Sequence, residues 1–490
     1  AGNAGIPKTG SSNLWIDIIE PIPTITWHET ESGPPITSDA YFKAGDSIYI
    51  KLTFGEEIIL NGAYTSFSLS GIDGYPLAGN AAAAAASATF IKKIDEDKFI
   101  YKYVVAQNTT SAKGNIEIKS PPALVNYFTD RAGNKAVFNG APYRGTHIII
   151  DTEKPFPIIT IPAENSCVKT TNIAFSFTET NVPIIDGSVT FTRIGGTVDQ
   201  NSPHIQPLLI SELSGGNPTT FTKDSMHHDP PLIDGAIYNI TFAFTDKAGN
   251  VGTKTIHNVT YDTTIPDIKP GSISFTNNLN NTNWAKPDDT IKLIFETTEP
   301  VNAPGASGGV AVTFSSGGDT YANSTNELAG SSTSTITSNA SKTIWTVKCN
   351  IAAGDSNGKI FYDISFSDCA GNINSKIGSS ELKLDKTKPT LNTISLTSSG
   401  GDSWAKKGEE VILTFDSSEP IKSPEVTFNI SGGVDLIKVF AENSNGNKTS
   451  WTAKYPVLET SANGEVVFNI AFEDLAGNVG TSINGPVSGQ

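Results

Sequence analysis

Apolar side chains recur at every second position in short runs along this chain, and the clearest runs stop at a common signal. They are Tyr238, Ile240, Phe242 and Phe244; Ile360, Tyr362, Ile364 and Phe366; and Val466, Phe468, Ile470 and Phe472. A period of two places these side chains on one face of a half-buried strand. Each run ends two residues before the Asp of an Asp-x-Ala-Gly-Asn turn, at Asp246, Asp368 and Asp474, which fixes the core face. A further copy of the turn starts at Asp130. No long segment shows the 3.6-residue period of a helix, so an all-β chain is expected.

A second signal, a short apolar strand closing on Asp-x-x-x-Pro, occurs at Asp17, Asp151, Asp262 and Asp385, with the prolines at Pro21, Pro155, Pro266 and Pro389. Apolar residues stand one and three positions before each Asp: Ile16 and Leu14, Ile150 and Ile148, Tyr261 and Val259, Leu384 and Leu382. Successive Asp residues are 134, 111 and 123 positions apart, close to the length of an immunoglobulin-like sandwich. The first closing strand has no domain before it, and the last turn, ending at Asn478, has no closing strand after it. The expected organisation is a donor-type strand and linker at 1–21 and sandwiches at 22–151, 152–262, 263–385 and 386–490, the last lacking its final strand.

The units share more than their turns. WAKPDDTIKLIFETTEP (Trp284 to Pro300) aligns with WAKKGEEVILTFDSSEP (Trp404 to Pro420) and more faintly with YFKAGDSIYIKLTFGEE (Tyr41 to Glu57). With its Glu-Pro loops at Glu299 and Glu419, its four turns and its four Asp-x-x-x-Pro frames, the chain resembles the bacterial immunoglobulin-like tandem repeats of surface adhesins and fibrils. The resemblance implies four tandem immunoglobulin-like β-sandwiches, and family membership alone says little about function.

Charge and composition narrow the class. A net charge of −16 and a pI near 4.8 over 490 residues disfavour nucleic acid as a partner. No stretch is long and apolar enough to span a bilayer, and the chain opens on Ala1 without an apolar signal core, which points to an exported, extracellular or cell-surface protein. The three cysteines, Cys167, Cys349 and Cys369, read as free or buried thiols; by this reading Cys349 and Cys369 flank a hairpin whose register keeps them apart. The Ala81 to Ala86 run supports no inference. Eight Asn-x-Ser/Thr sequons, at Asn108, Asn239, Asn258, Asn280, Asn323, Asn339, Asn429 and Asn447, permit N-glycosylation, though a chain this rich in Asn, Ser and Thr would hold roughly that many by chance.

No catalytic constellation stands out, so the chain is expected not to be an enzyme. His227, His228 and Asp229 sit in a Pro-rich stretch where solvated loop residues are the ordinary reading, and the other four histidines read as isolated. Carboxylates are the stronger signal. The turn before the last strand and the loop after the second should meet the entering linker, bringing together Asp17, Glu57 and Asp130; Asp151, Glu179 and Asp246; Asp262, Glu299 and Asp368; and Asp385, Glu419 and Asp474. Such groups would repel one another unless a cation such as Ca2+ joined them. The same Asp and Asn residues also suit turns that bond their own backbone, and both readings stand.

The expected function is a structural subunit of an extracellular, pilus-like fibre. Leu14, Trp15, Ile16, Asp17 and Ile18 of one identical subunit would complete the fourth sandwich of the next by donor-strand complementation. The alternative is a stretch of a longer single-chain adhesin that binds a surface glycan or protein; the opening Ala1-Gly2-Asn3, like the tail of one more turn, favours it.

Overall fold

The computed structural model describes residues 14–485 except 63–64, 72–85, 112–115, 119–125, 139–142, 179–181, 214–218, 222–230, 279–282, 319, 322–325 and 432–435. Nearly all regular structure is β, arranged as tandem immunoglobulin-like sandwiches; the one α-helix among the described residues is a single turn, Ile210–Leu213. No helix among those residues is long and apolar enough to cross a membrane. The fold divides into two compact units, residues 1–262 and 263–490, and among the described residues each holds two main cores, with a small further cluster of Ile149, Val182 and Ala248 in the first.

In the first unit one core gathers Trp27, Ile50, Phe54, Tyr101, Phe128 and Ile148, and the other gathers Phe175, Val189, Tyr238, Ile240, Phe242 and Phe244. The second unit repeats this with Leu293, Phe314, Trp345, Ile364 and Leu384, and then Leu413, Phe428, Trp451, Phe468 and Ile470. Each alternating run lies in the core it was read into, because a one-residue slip would turn all its aromatic rings to water. Tyr238, Ile240, Phe242 and Phe244 are buried on the strand Ala236–Asp246, while the alternate residues Asn239, Thr241 and Ala243 are half-buried.

The third domain shows the complete sandwich. One sheet pairs Ser274–Asn277, Thr290–Glu296, Ile344–Asn350 and Thr335–Ser338 in that order; the other pairs Trp284–Ala285, Ile373–Leu384, Gly358–Ser367, Ala311–Ser316 and Asn326–Glu327. The strands bearing Cys349 and leading to Cys369 therefore lie in opposite sheets and form no hairpin, which corrects the sequence reading. Cys349 is a buried free thiol, its proton retained by burial that pushes the pKa up to about 12. Cys167 and Cys369, expected to be free, are not: both are disulfide-bonded. The register argument bore only on the pair Cys349 and Cys369.

Early and last strands run parallel where a domain is closed. Ala40–Phe42 pairs with Ile148–Ile150, Cys167–Val168 with Thr260–Tyr261, and Trp284–Ala285 with Lys383–Leu384. The fourth domain departs from this. Trp404 and Ala405, the counterparts of Trp284 and Ala285, belong to no strand, and Trp404 is 87% exposed. The fourth domain was expected to lack its last strand altogether, with Gly485 breaking any strand after Asn478. It does form a short one, Ile483–Gly485, paired with Phe468–Ile470. Backbone pairing over three residues needs little from the side chains, so Gly485 is tolerated at its end.

Candidate functional site: the carboxylate joints

All four Asp-x-Ala-Gly-Asn turns close in the same way. The Asn backbone N–H donates to one carboxylate oxygen of the turn Asp, at 2.8 Å for Asp130, 2.9 Å for Asp246 and Asp368, and 2.8 Å for Asp474. The Asn side-chain amide donates to the other oxygen at 2.6, 2.8, 2.8 and 2.7 Å. The Gly between them sits at φ of 80 to 92°, a left-handed conformation that a Cβ would strain. These bonds allow the turn carboxylates to be buried. At Asp130, burial pushes the pKa up, but the bonds from Asn134 and the neighbouring backbone outweigh it and hold the carboxyl below its ordinary value.

The turn also reaches the linker, a feature absent from the sequence reading. The second hydrogen of the Asn amide goes to the backbone carbonyl of the linker Asp: Asn134 to Asp17 at 3.1 Å, Asn250 to Asp151 at 2.9 Å and Asn478 to Asp385 at 2.9 Å. One side chain thus closes a turn in one domain and holds the segment arriving from before it. The only trace in the sequence is that the turn ends in Asn, where Asp could accept but not donate.

Carboxylates converge on this clamp much as the sequence suggested. Asp17, Glu56 and Asp130 offer oxygens within 4.8 Å of one another, and so do Asp385, Glu419 and Asp474. Glu299 and Asp368 meet within the same distance in the third domain, while Asp262 ends the first unit, its N–H bonded to the carbonyl of Val168 at 2.9 Å. Glu57 is a correction. It forms an ion pair with Arg131 at 3.2 Å, and its neighbour Glu56 occupies the joint. Without the Pro that marks the loop in the third and fourth domains, two adjacent Glu residues could not be told apart by sequence.

At the first joint Glu179 lies outside the described residues. Asp151 and Asp246 are both fully buried, and among the described residues Oδ2 of Asp151 has no hydrogen-bond partner. Burial raises the pKa of Asp151, and the nearby Asp246 adds to the effect. Asp385 is raised by burial and by Asp474; Glu419 by burial, Asp385 and Asp474; Glu56 by burial, Asp130 and Asp17. At all three joints burial is the main cause of the upward shift, and the neighbouring carboxylates add to it. The residues fit a hard cation: all donors are oxygens, they are clustered, and the buried Oδ2 of Asp151 finds no partner among the described residues.

Other polar features fall differently. His227, His228 and Asp229 lie outside the described residues, as do Asn280 and Asn323. His204 is not isolated: it is fully buried, with Nε2 2.5 Å from Asp199 Oδ2, and Tyr238 donates to that same oxygen at 2.7 Å. His147 Nδ1 lies 3.0 Å from Asp39 Oδ1. The intervals between these partners match no local motif, so neither pair is legible without the fold.

The donor-strand residues are described from Leu14 onward. Leu14, Trp15, Ile16 and Ile18 form no strand and are strongly exposed, Ile16 at 87%. Beyond them the linker docks on the first domain as the internal linkers do on theirs, with Asn134 on the carbonyl of Asp17 and the N–H of Val137 on that of Pro21 at 2.9 Å.

No family model matches this chain, and no curated protein does. Solved structures similar to it include a marsupial T cell receptor, at 10% identity and a TM-score of 0.29, covering 68% of this chain and 98% of that one. The teleost fish polymeric Ig receptor ectodomain matches at 10% identity and a TM-score of 0.15, covering 43% and 96%. The eight N-terminal Ig domains of Down Syndrome Cell Adhesion Molecule match at 8% identity and a TM-score of 0.16, covering 95% and 84%. Superpositions this poor add nothing to the sheets and cores described above.

Proposed function

We propose that the chain is a non-enzymatic subunit of an extracellular fibre, assembled head to tail from identical copies by donor-strand complementation. One observation carries the reading. The Asp17 linker docks on its turn like the internal linkers at Asp151 and Asp385, yet the apolar residues before it lie exposed, while Ile148, Ile150, Leu382 and Leu384 before the others are buried in the preceding sandwich. The fourth domain supplies the complementary need in the open Trp404–Ala405 edge. Leu14, Ile16 and Ile18 of one copy would enter it beside Val466 and Val467 of another, the start of the strand that Ile483–Gly485 leaves uncovered, each burial contributing roughly 1.5 to 3 kcal/mol and each ladder hydrogen bond about 1 kcal/mol. The contact joins unlike surfaces and need not close, so it propagates as a filament.

Ca2+ at the carboxylate joints would stiffen the array, with the buried, unpartnered oxygen of Asp151 as the main support. Cation binding would turn mutual repulsion into bridging, so the joint would hold its angle without cost to either sandwich.

The test is deletion of residues 1–21. The truncated chain should sediment as a monomer with a destabilised fourth domain, and a peptide spanning Ser11 to Pro21 should restore that domain's melting temperature. Fibres formed by the truncated chain, or no response to the peptide, would refute donor-strand assembly. The intact mass of the native protein tests the rival reading, a longer single-chain adhesin in which a following segment fills the same edge.

A further inference from the structure

The six described sequons are not equivalent. The Asn258 side-chain amide donates to Asn165 at 3.0 Å, and that of Asn339 donates to Ser341 at 2.8 Å and Thr343 at 3.2 Å. Asn239 and Asn429 are half-buried within paired strands, and Asn447 is exposed on a turn. Asn108 is exposed on a turn at φ 58°, and its side chain bonds to no described residue. It also lines a groove of about 480 Å3 where the first domain meets the linker to the second, together with Gln107, Thr152, Glu153, Lys154 and Phe156.

Two features make that groove more than a surface dip. Its floor is fixed: Thr109 is buried, its N–H donates to Thr152 Oγ1 at 2.9 Å, and the Thr152 hydroxyl returns a bond to the Thr109 carbonyl at 2.9 Å. Thr110, which completes the sequon, pairs with the linker Asp151. Phe156 opens the next strand with its ring 65% exposed, flanked by amide, carboxylate and ammonium side chains. An exposed aromatic ring bordered by such groups suits a sugar. The C–H groups of a pyranose ring cover the aromatic face while its hydroxyls bond the polar rim.

We infer that Asn108 carries an N-linked glycan whose first sugars lie in this groove against Phe156 and brace the joint between the first two domains. Covalent attachment at one end gives the sugar a high effective concentration over the ring, so a weak contact is enough to hold it. The inference shares with the fibre reading only the export of the chain; it would stand if the fourth domain accepted no donor strand.

Glycopeptide mapping of the native protein should find the Asn108 peptide modified. Enzymatic removal of the glycan under native conditions should increase proteolytic cleavage of the linker at Thr152 to Pro155 several-fold, and Phe156→Ala with the glycan retained should do the same. An unmodified Asn108 peptide would overturn the inference, and so would unchanged linker protection in both Phe156→Ala and the deglycosylated protein. Proteolysis at the exposed turn Lys407-Gly408, which carries no sequon, serves as the internal control, since neither change should alter it.

Discussion

The third and fourth domains begin their early strands with the same three residues, Trp-Ala-Lys, and use them differently. In the third, Trp284 and Ala285 pair with Lys383 and Leu384, and Ala285 is fully buried. In the fourth, Trp404 and Ala405 are exposed and unpaired in strand terms, and Ile483–Gly485 covers only the stretch Phe468–Ile470. The local sequence prepares an edge in both cases. What differs is the strand that should meet it: Leu382 and Leu384 are apolar at alternate positions, whereas Gly485 and Pro486 end the pattern. An edge of this kind is a slot that takes its structure from its partner.

Opening the third domain should have the largest effect. Leu382→Ala and Leu384→Ala each remove a fully buried side chain and should cost about 2 to 5 kcal/mol, measurable as a lower denaturant midpoint for that domain. A change under about 0.5 kcal/mol would mean that the last strand does not close the core.

The reverse experiment is to close the fourth domain in cis. Replacing residues 486–490 with a flexible link and the segment Leu14 to Pro21 should raise that domain's melting temperature and abolish self-association. A chain so closed that still polymerises would show that assembly uses another surface.

The clamp comes next. Asn478→Ala strips Oδ2 of Asp474 of its amide bond and releases the linker carbonyl of Asp385, while the backbone N–H of residue 478 keeps its bond to Oδ1, for an expected loss of about 1 to 3 kcal/mol. Small-angle scattering of the second unit alone should report a wider spread of angles at this joint. An unchanged profile would assign the joint's geometry to the linker instead.

Titration offers a smaller but signed effect. The folded pKa values of Asp385 and Glu419 lie above their ordinary values, so the folded state holds protons that the unfolded state has released. The corresponding stability is present below the ordinary carboxylate range and is lost as pH rises through the raised values. In chelator the melting temperature should therefore fall across that window, and Ca2+ at neutral pH should restore it. Curves that superimpose with and without Ca2+ would remove the cation from the joints. Smallest of all, Glu57→Gln loses only the exposed pair with Arg131 and should stay within about 0.5 kcal/mol, whereas Glu56→Gln should weaken the response to Ca2+.

Strand alternation and the two turn signals made the sandwiches and the crowding of carboxylates legible, because each depends on residues a few positions apart. The failures involve choices that tertiary packing makes. Glu56 and Glu57 are adjacent and chemically alike, and only the path of the loop decides which faces the joint. The strands on either side of Gly354 looked like a hairpin, since sequence spacing does not distinguish a turn within a sheet from a crossing between sheets. His204, Asp199 and Tyr238 meet across the core of the second domain, where burial forces three polar groups to satisfy one another. The role of Asn in the turns was half legible: its bonds to its own turn follow from local geometry, while its hold on the linker needed the neighbouring segment in place.

The parallel pairing of an early strand with the last one has a mechanical meaning. Where these two strands of a domain run side by side in the same direction, tension applied to the domain's ends slides one past the other and loads every bond of the ladder at once. Ala40–Phe42 against Ile148–Ile150, and Trp284–Ala285 against Lys383–Leu384, are shear clamps of this type. A donor strand beside Trp404 would carry the same load between molecules. The weakest link under traction would then be a non-covalent one, and an overstretched filament would part between subunits, leaving each chain folded and able to rejoin.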